Sequence, residues 1–392
     1  MRALDILQEK LRPRVQKLHS KRWSAIWRVV RGAIDARELW LTGIGRAVAG
    51  PELARHRLKV VDRLLGSAAI QASLPTLHRA VAAYLLEKIS SPVMLVDWTC
   101  VGSKFHVLSA QLLFRGRSLP LFSKAYPTSL KCSPIAQNAF LRGLRAIIPA
   151  AIKPVLVTDA GFHLQWFDEA NRLGFDYVGR IRSKLTIDVD GAWLPLADVH
   201  TLARRKPTDL GVRAVGKGHS TLRRVVLASE PNLKGRQRFT TSGTRRHRTA
   251  DRQRSCAARE PWVLLTSLAA SARRVVQIYD GRMQVEQTFR DLKNHRFGWS
   301  LADSRCRSAG RLDVLLLVAT LALVVMHAVG IAARARNMVR YFQVNTERRR
   351  EVFSTVFLAG LVLDRGLHRL LKALDLNRAF DDLLTTLRLV SL

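Results

Sequence analysis

Apolar residues recur at intervals of three and four through residues 1–90, as in Ile26, Val29, Val30, Ala33 and Ile34. That spacing predicts helices. Gly43, Gly45, Gly50 and Pro51 interrupt the run, and Leu58, Val61, Leu64 and Leu65 resume it. The pattern changes at residue 91. Pro92–Asp97 is a short apolar run ending on an acid, which reads as a buried strand. Phe105–Phe114 and Ser118–Tyr126 are two further strands, joined by Arg115-Gly116-Arg117 in what reads as a tight hairpin. Ser133–Ile148 is an amphipathic helix, Pro154–Asp159 repeats the strand that ends on an acid, Phe162–Leu173 is a helix and Tyr177–Ile181 a strand. The order β-β-β-α-β-α-β predicts a mixed sheet with helices on its faces. Residues 183–260 break the pattern with short apolar pieces among many Gly, Pro and cations, and read as an insertion within one domain. Pro261–Leu268 returns to strand. Ser271–Arg296 predicts one long helix and Arg311–Arg334 another, strongly apolar.

Charge narrows the function. The 392 residues carry 65 Lys+Arg against 30 Asp+Glu, a net +35, with 48% hydrophobic residues. The hydrophobic content excludes a disordered basic tail. A folded chain this positive calls for a polyanion, either nucleic acid or an anionic membrane. Cations are densest in residues 204–254, with 15 basic and 3 acidic residues. Such a single-sign block repels itself until an anion neutralises it, so nucleic-acid contact is expected there. Cys100, Cys132, Cys256 and Cys306 lack the close spacing of a zinc knuckle and read as buried thiols of a reducing cytoplasm. Met1–Trp23 has no apolar core and does not read as a signal peptide. Val314–Ala333, with only Thr320 and His327 polar, has the length of a membrane span.

Three carboxylates stand out. Asp97 and Asp159 each close an apolar strand, where open sheets place ligands. Adjacent strands would bring them together, and two close carboxylates repel unless a cation lies between them. Mg²⁺ takes oxygen ligands of this kind. The third, Glu286, lies in the long helix. At roughly 100° per residue, Tyr279, Arg282, Glu286 and Lys293 share one helix face. That stripe is either a salt-bridged surface or a metal ligand flanked by phosphate-binding cations.

These residues carry a resemblance. Y-x-x-R-x-x-x-E-x-x-x-x-x-x-K is complete at Tyr279, Arg282, Glu286 and Lys293, and two strand-terminal aspartates precede it in order. With "VDWT", "VTDAGF", "PWVLLTS" and "RMQVEQTFRDLK", the chain resembles the insertion-sequence-four family of bacterial DDE transposases over about residues 90–360. The tail "FQVNTERRREVFSTVFLAG" is similar to the transposon-ten group. The resemblance implies an RNase H-like mixed sheet, of α/β class, with a β-rich basic insertion at about 183–260 inside a catalytic domain of residues 91–335. It implies a helical DNA end-binding domain at 1–90 and a C-terminal helical region at 336–392 that serves dimerisation. Asp97, Asp159 and Glu286 would be catalytic and would bind two Mg²⁺ or Mn²⁺ ions. Arg282 and Lys293 would hold phosphates, Tyr279 would contact the backbone near a DNA hairpin, and Trp262 would stack on a flipped base. The implied reaction is cut-and-paste transposition: nicking, hairpin formation and opening, then strand transfer. Its partners would be terminal inverted repeats and target DNA, gripped by a homodimer in a paired-end complex in the bacterial cytoplasm, with no membrane. The family places a buried helix at 314–333, so a core helix is expected there.

Other readings compete. An inactive or domesticated relative would only bind DNA ends, a membrane protein would span at 314–333, and an RNase H-like nuclease would not need the Tyr-to-Lys stripe. Asp168, Glu169, Asp176, Asp280 and Asp291 read as surface acids. His106 and His163 flank the two acid-bearing strands, and Trp98 is expected to pack under the sheet.

Overall fold

The computed structural model describes the chain apart from Lys17, residues 183–184, His219, and residues 230–259, 296–297 and 348–349. Five helices come first: α1 (Arg2–Leu11), α2 (Ser20–Ala36), α3 (Leu41–Ala47), α4 (Ala54–Gly66) and α5 (Ala68–Leu85). Strands β1 (Val93–Val101), β2 (Phe105–Leu112) and β3 (Leu119–Pro127) follow, then α6 (Pro134–Ile147), β4 (Val155–Thr158), α7 (Leu164–Arg172) and β5 (Asp176–Ile181). Next are β6 (Thr186–Val189), β7 (Ala192–Pro195), α8 (Leu196–Thr201), β8 (Thr208–Val215), β9 (Thr221–Ala228) and β10 (Trp262–Thr266). The chain closes with α9 (Ala272–Asp280), α10 (Met283–Lys293), α11 (Ala309–Ala335), α12 (Thr355–Asp364) and α13 (Ala373–Leu389). The elements divide between two compact units, Met1–Pro154 with Met283–Leu392, and Val155–Arg282.

The first unit is organised around α11. This helix is apolar all round and buried along its length, from Leu312 to Ala333. By length and composition it could cross a bilayer, yet 94% of its most apolar window is buried. Helices α1, α2, α4, α5, α12 and α13 and strand β3 pack around it. Each Leu or Val so enclosed contributes about 1.5–3 kcal/mol. One acid interrupts the apolar surface: Asp313, 2% exposed, accepts the Ala125 N–H of β3 at 2.7 Å and the Lys124 ammonium at 2.7 Å. Serine hydroxyls cap several helices by accepting a backbone N–H of the first turn, among them Ser67 on α5, Ser133 on α6 and Ser308 on α11.

Strands β1, β2 and β3 form an antiparallel meander in this unit, with a bulge at Ala110/Gln111. The β2–β3 connection is a loop of residues 113–118 rather than a tight turn, with Gly116 in the left-handed region at φ +70. The tighter hairpin is β1–β2, where Gly102 takes φ +63. Strand β1 also runs past the expected end. Trp98 to Val101 keep pairing with Leu108 to Phe105, so Asp97 lies mid-strand opposite Ser109. The β-branched and aromatic residues after Asp97 favour extension, and the antiparallel partner supplies hydrogen bonds that an acid alone does not interrupt.

The second unit holds a mixed sheet in the order β4-β5-β10-β9-β8-β6-β7. Strands β4 and β5 are parallel and linked through α7, while the remaining neighbours are antiparallel. The described part of 183–260 continues this sheet, because β9 pairs with β10 and β10 with β5. About half of the basic block, residues 230–254, lies outside the described residues. Arg223, 4% exposed, secures β9: it donates to the Tyr177 hydroxyl at 2.7 Å and pairs with Asp168.

Two further expectations fail. The single helix over 271–296 is two helices, α9 and α10, separated at Gly281-Arg282. The Arg282 N–H donates three residues back to the Tyr279 carbonyl at 2.9 Å, a 3₁₀-type closure that ends α9 at a glycine of poor helix propensity. The thiols are also less buried than expected. Cys100 is exposed, Cys132 and Cys306 are intermediate, and Cys256 lies outside the described residues. Strand alternation accounts for Cys100, which faces outward between buried Thr99 and Val101.

Candidate active site

In the first unit the expected site residues are Asp97, Glu286 and Lys293. Asp97 is half-buried on β1 and accepts the Trp98 N–H at 2.7 Å. Helix α10 packs against β1, so the element bearing Glu286 neighbours the strand bearing Asp97. Val285, Phe289 and Leu292 bury one side of α10, which leaves Glu286 exposed and Lys293 half-buried. Of the neighbours expected near Asp97, Trp98 packs its ring against Tyr126 at 5.6 Å. His106 is buried on β2, and burial lowers its pKa, helped by Lys131.

The second unit gathers Asp159, Trp262, Tyr279 and Arg282. Asp159 follows β4 directly and accepts the Gly161 N–H at 2.8 Å, a local turn that aspartate makes well. A Cβ on residue 161 would lie 3.0 Å from the Asp159 Oδ1, so glycine keeps that side of the carboxylate open. Tyr279, 4% exposed, meets the half-buried Trp262 ring edge-on at 4.8 Å and 68°. The Arg282 guanidinium lies over the Tyr279 ring at 6.0 Å. Burial raises the phenol pKa; Arg282 and Arg180 oppose that shift, and the Asp159 charge adds to it.

Sequence reasoning missed a cationic cluster beside this tyrosine. Arg180 on β5 and Arg182 just after it both pair with Glu260, at 3.2 and 2.6 Å, and His200 approaches the same carboxylate at 3.8 Å. Burial lowers the Arg180 pKa, while Tyr279 and Glu260 work the other way. The available signal was Arg180 itself, which interrupts the apolar run Tyr177–Ile181.

The remaining acids have ordinary settings. Asp168 pairs with Arg223, Glu169 with Arg172 and Asp291 with Arg117. Asp176 accepts from Ser267 at 2.8 Å, and Asp280 and His163 are exposed. Among the described residues, no three His, Cys, Asp or Glu side chains form a ready-made metal cluster. Taken residue by residue, Asp97 and Glu286 in the first unit and Asp159 in the second each offer carboxylate oxygens, which suit hard cations such as Mg²⁺ or Mn²⁺ and not Zn²⁺ held by thiolates.

Residues 90–324, more than half of the chain, match the family profile described as Transposase DDE domain. No curated protein matches the chain.

Proposed function

We propose, because the chain belongs to the transposase DDE domain family, that it moves a DNA element by cut-and-paste chemistry. A transposase acts on DNA, and the net charge of +35 suits that partner. The observation that carries the finer reading is the Tyr279, Arg282, Glu286 and Lys293 register following Asp97 and Asp159. It supports membership of the insertion-sequence-four group, near the transposon-ten branch.

In this reading Asp97, Asp159 and Glu286 hold two divalent cations, Mg²⁺ or Mn²⁺. When bound, such ions supply an activated water or 3′-hydroxyl and stabilise the leaving oxygen. The protein's own cations orient the strand: Arg282 and Lys293 hold phosphates beside the scissile bond, Arg282 with the planar fork that suits them. Tyr279 supports the backbone where the DNA hairpin bends. Trp262 takes a flipped base, for which an aromatic face is the natural seat. The buried tyrosine under that tryptophan keeps its ring from turning away.

We assign end binding to residues 1–90, catalysis to 91–335 with the insertion at about 183–260, and dimerisation to 336–392. The working form is a homodimer holding two inverted-repeat ends in the bacterial cytoplasm. The test is a cleavage assay with paired inverted-repeat DNA taken from the flanks of the coding sequence, with Mg²⁺ present. Nicked, hairpin and joined products in that order are expected. End binding without any cleavage would overturn the enzymatic reading.

A further inference from the structure

Helix α10 presents three faces. At roughly 100° per residue, Gln284, Thr288 and Asp291 point one way, Val285, Phe289 and Leu292 lie about a quarter turn round, and Glu286 and Lys293 point about half a turn away. The apolar face is buried. The Gln284–Thr288–Asp291 face is held by hydrogen bonds to the β2–β3 loop.

Each residue of that face has its own partner there. Gln284 accepts the Phe114 N–H at 3.1 Å. Thr288 accepts the Ser118 N–H at 2.9 Å and donates to the Ser118 carbonyl at 3.0 Å. Asp291 accepts from the Arg117 Nε at 2.6 Å. The Ser118 hydroxyl donates onward to the Gln111 Oε1 at 2.6 Å. Gln111 donates to the Ser109 hydroxyl at 3.1 Å, and Ser109 bonds Ser123 at 2.7 Å. Ser109 is the register partner of Asp97 on β1, and directly opposed residues share a sheet face. A continuous polar chain therefore joins the helix that carries Glu286 to the position opposite Asp97. Its members Ser109, Gln111, Ser118, Ser123 and Thr288 are all buried.

Apolar side chains would hold the helix as firmly and avoid the cost of burying five polar groups. What they lack is direction. Apolar contact tolerates a turn of the helix about its axis, whereas a reciprocal pair such as Thr288 with Ser118 does not.

We infer that Gln284, Thr288 and Asp291 are positioning residues that fix the rotation and axial register of α10, and through it the aim of Glu286 and Lys293 relative to Asp97. This rests on the reading of Glu286 as a catalytic carboxylate. The test uses the full-length protein with T288V, which keeps the shape of the side chain and removes its hydroxyl, and T288S, which restores the hydroxyl. R117Q serves as a second variant at the half-exposed end of the clamp, where loss of folding is not at issue.

Two readouts are taken. Hydrogen exchange in α10 should quicken about tenfold in T288V and a few-fold in R117Q, with α11 unchanged. Single-turnover nicking of an inverted-repeat duplex in Mg²⁺ should fall about tenfold or more in T288V with unchanged end affinity, since small misplacements of reacting groups are costly. T288S should restore both. A merely structural role would reduce the folded fraction and leave the rate of the folded protein intact. Unchanged exchange in both T288V and R117Q, with a wild type that nicks, overturns the inference. A wild type that never nicks, with exchange responding as expected, instead overturns the transposase reading and leaves the clamp supported.

Discussion

Asp313 offers the sharpest test of how the core helix is held. It is 2% exposed inside α11, and its two oxygens accept the Ala125 N–H and the Lys124 ammonium, each at 2.7 Å. Replacing it with alanine leaves the Ala125 N–H buried without an acceptor, a loss of about 1–3 kcal/mol. Lys124 contributes little to that loss because its side chain is 46% exposed and can turn to water. Replacement with asparagine keeps an acceptor for Ala125 and removes a buried charge, and because Lys124 is 46% exposed no buried charge is left unpaired, so the change should be nearly neutral. The two variants should therefore differ by about 2 kcal/mol, or roughly 4 °C in melting midpoint for a unit of this size.

The pH dependence sharpens the test. Burial outweighs Lys124 and the Ala125 N–H and holds the Asp313 carboxyl above the ordinary carboxylate range. The native state then binds this proton more readily than the unfolded chain. Its contribution to stability is fully present below the ordinary carboxylate pKa of about 4 and is lost as pH rises through the raised native value. D313N is permanently neutral, so wild type should lose stability relative to it as pH rises above the ordinary carboxylate pKa of about 4. Urea melts followed by circular dichroism at several pH values read this directly. If D313N is as damaged as D313A, or if wild type gains on D313N as pH rises, the ion pair with Lys124 outweighs desolvation and the reasoning is refuted.

Neutralising any one of the three carboxylates, as D97N, D159N or E286Q, should cut nicking by about a hundredfold or more while end binding stays near wild type; full cleavage by any of them would sink the site. W262A should stall at the hairpin stage more than at first-strand nicking, and gel analysis showing equal loss of both would argue for a packing role under Tyr279. E260Q should release Arg180 and Arg182 toward DNA phosphate and steepen the salt dependence of duplex binding by about one unit of slope. That unit amounts to roughly fourfold between 50 and 200 mM salt, and an unchanged slope would leave Glu260 as a counter-ion only.

How much of this was legible in the chain depends on how local each cause is. The order of strands and helices from β1 to β5 followed from periodicity, because each element is defined by its own alternation. The apolar stretch at 314–333 was legible as a helix but not as an enclosed one: a helix without a polar face suits a bilayer as well as a core, and only the family resemblance favoured the core. Asp97 was misplaced because an acid after an apolar run reads as a terminator, while the partner that extends the strand, β2, comes only after the Gly102 turn. The helix break was written in Gly281, yet a lone glycine costs only about 1 kcal/mol and the repeating Tyr-Arg-Glu-Lys pattern outweighed it. The Gln284–Thr288–Asp291 face had a readable spacing of four and three, but polar residues at helical spacing look like a solvent face. Their true partners, Phe114, Arg117 and Ser118, sit about 170 residues upstream. The catalytic signature names the residues that would meet DNA and omits those that aim them, because aiming is done by contacts distant in sequence. A chain could therefore keep all of Asp97, Asp159, Tyr279, Arg282, Glu286 and Lys293 and still lose activity through Thr288 alone.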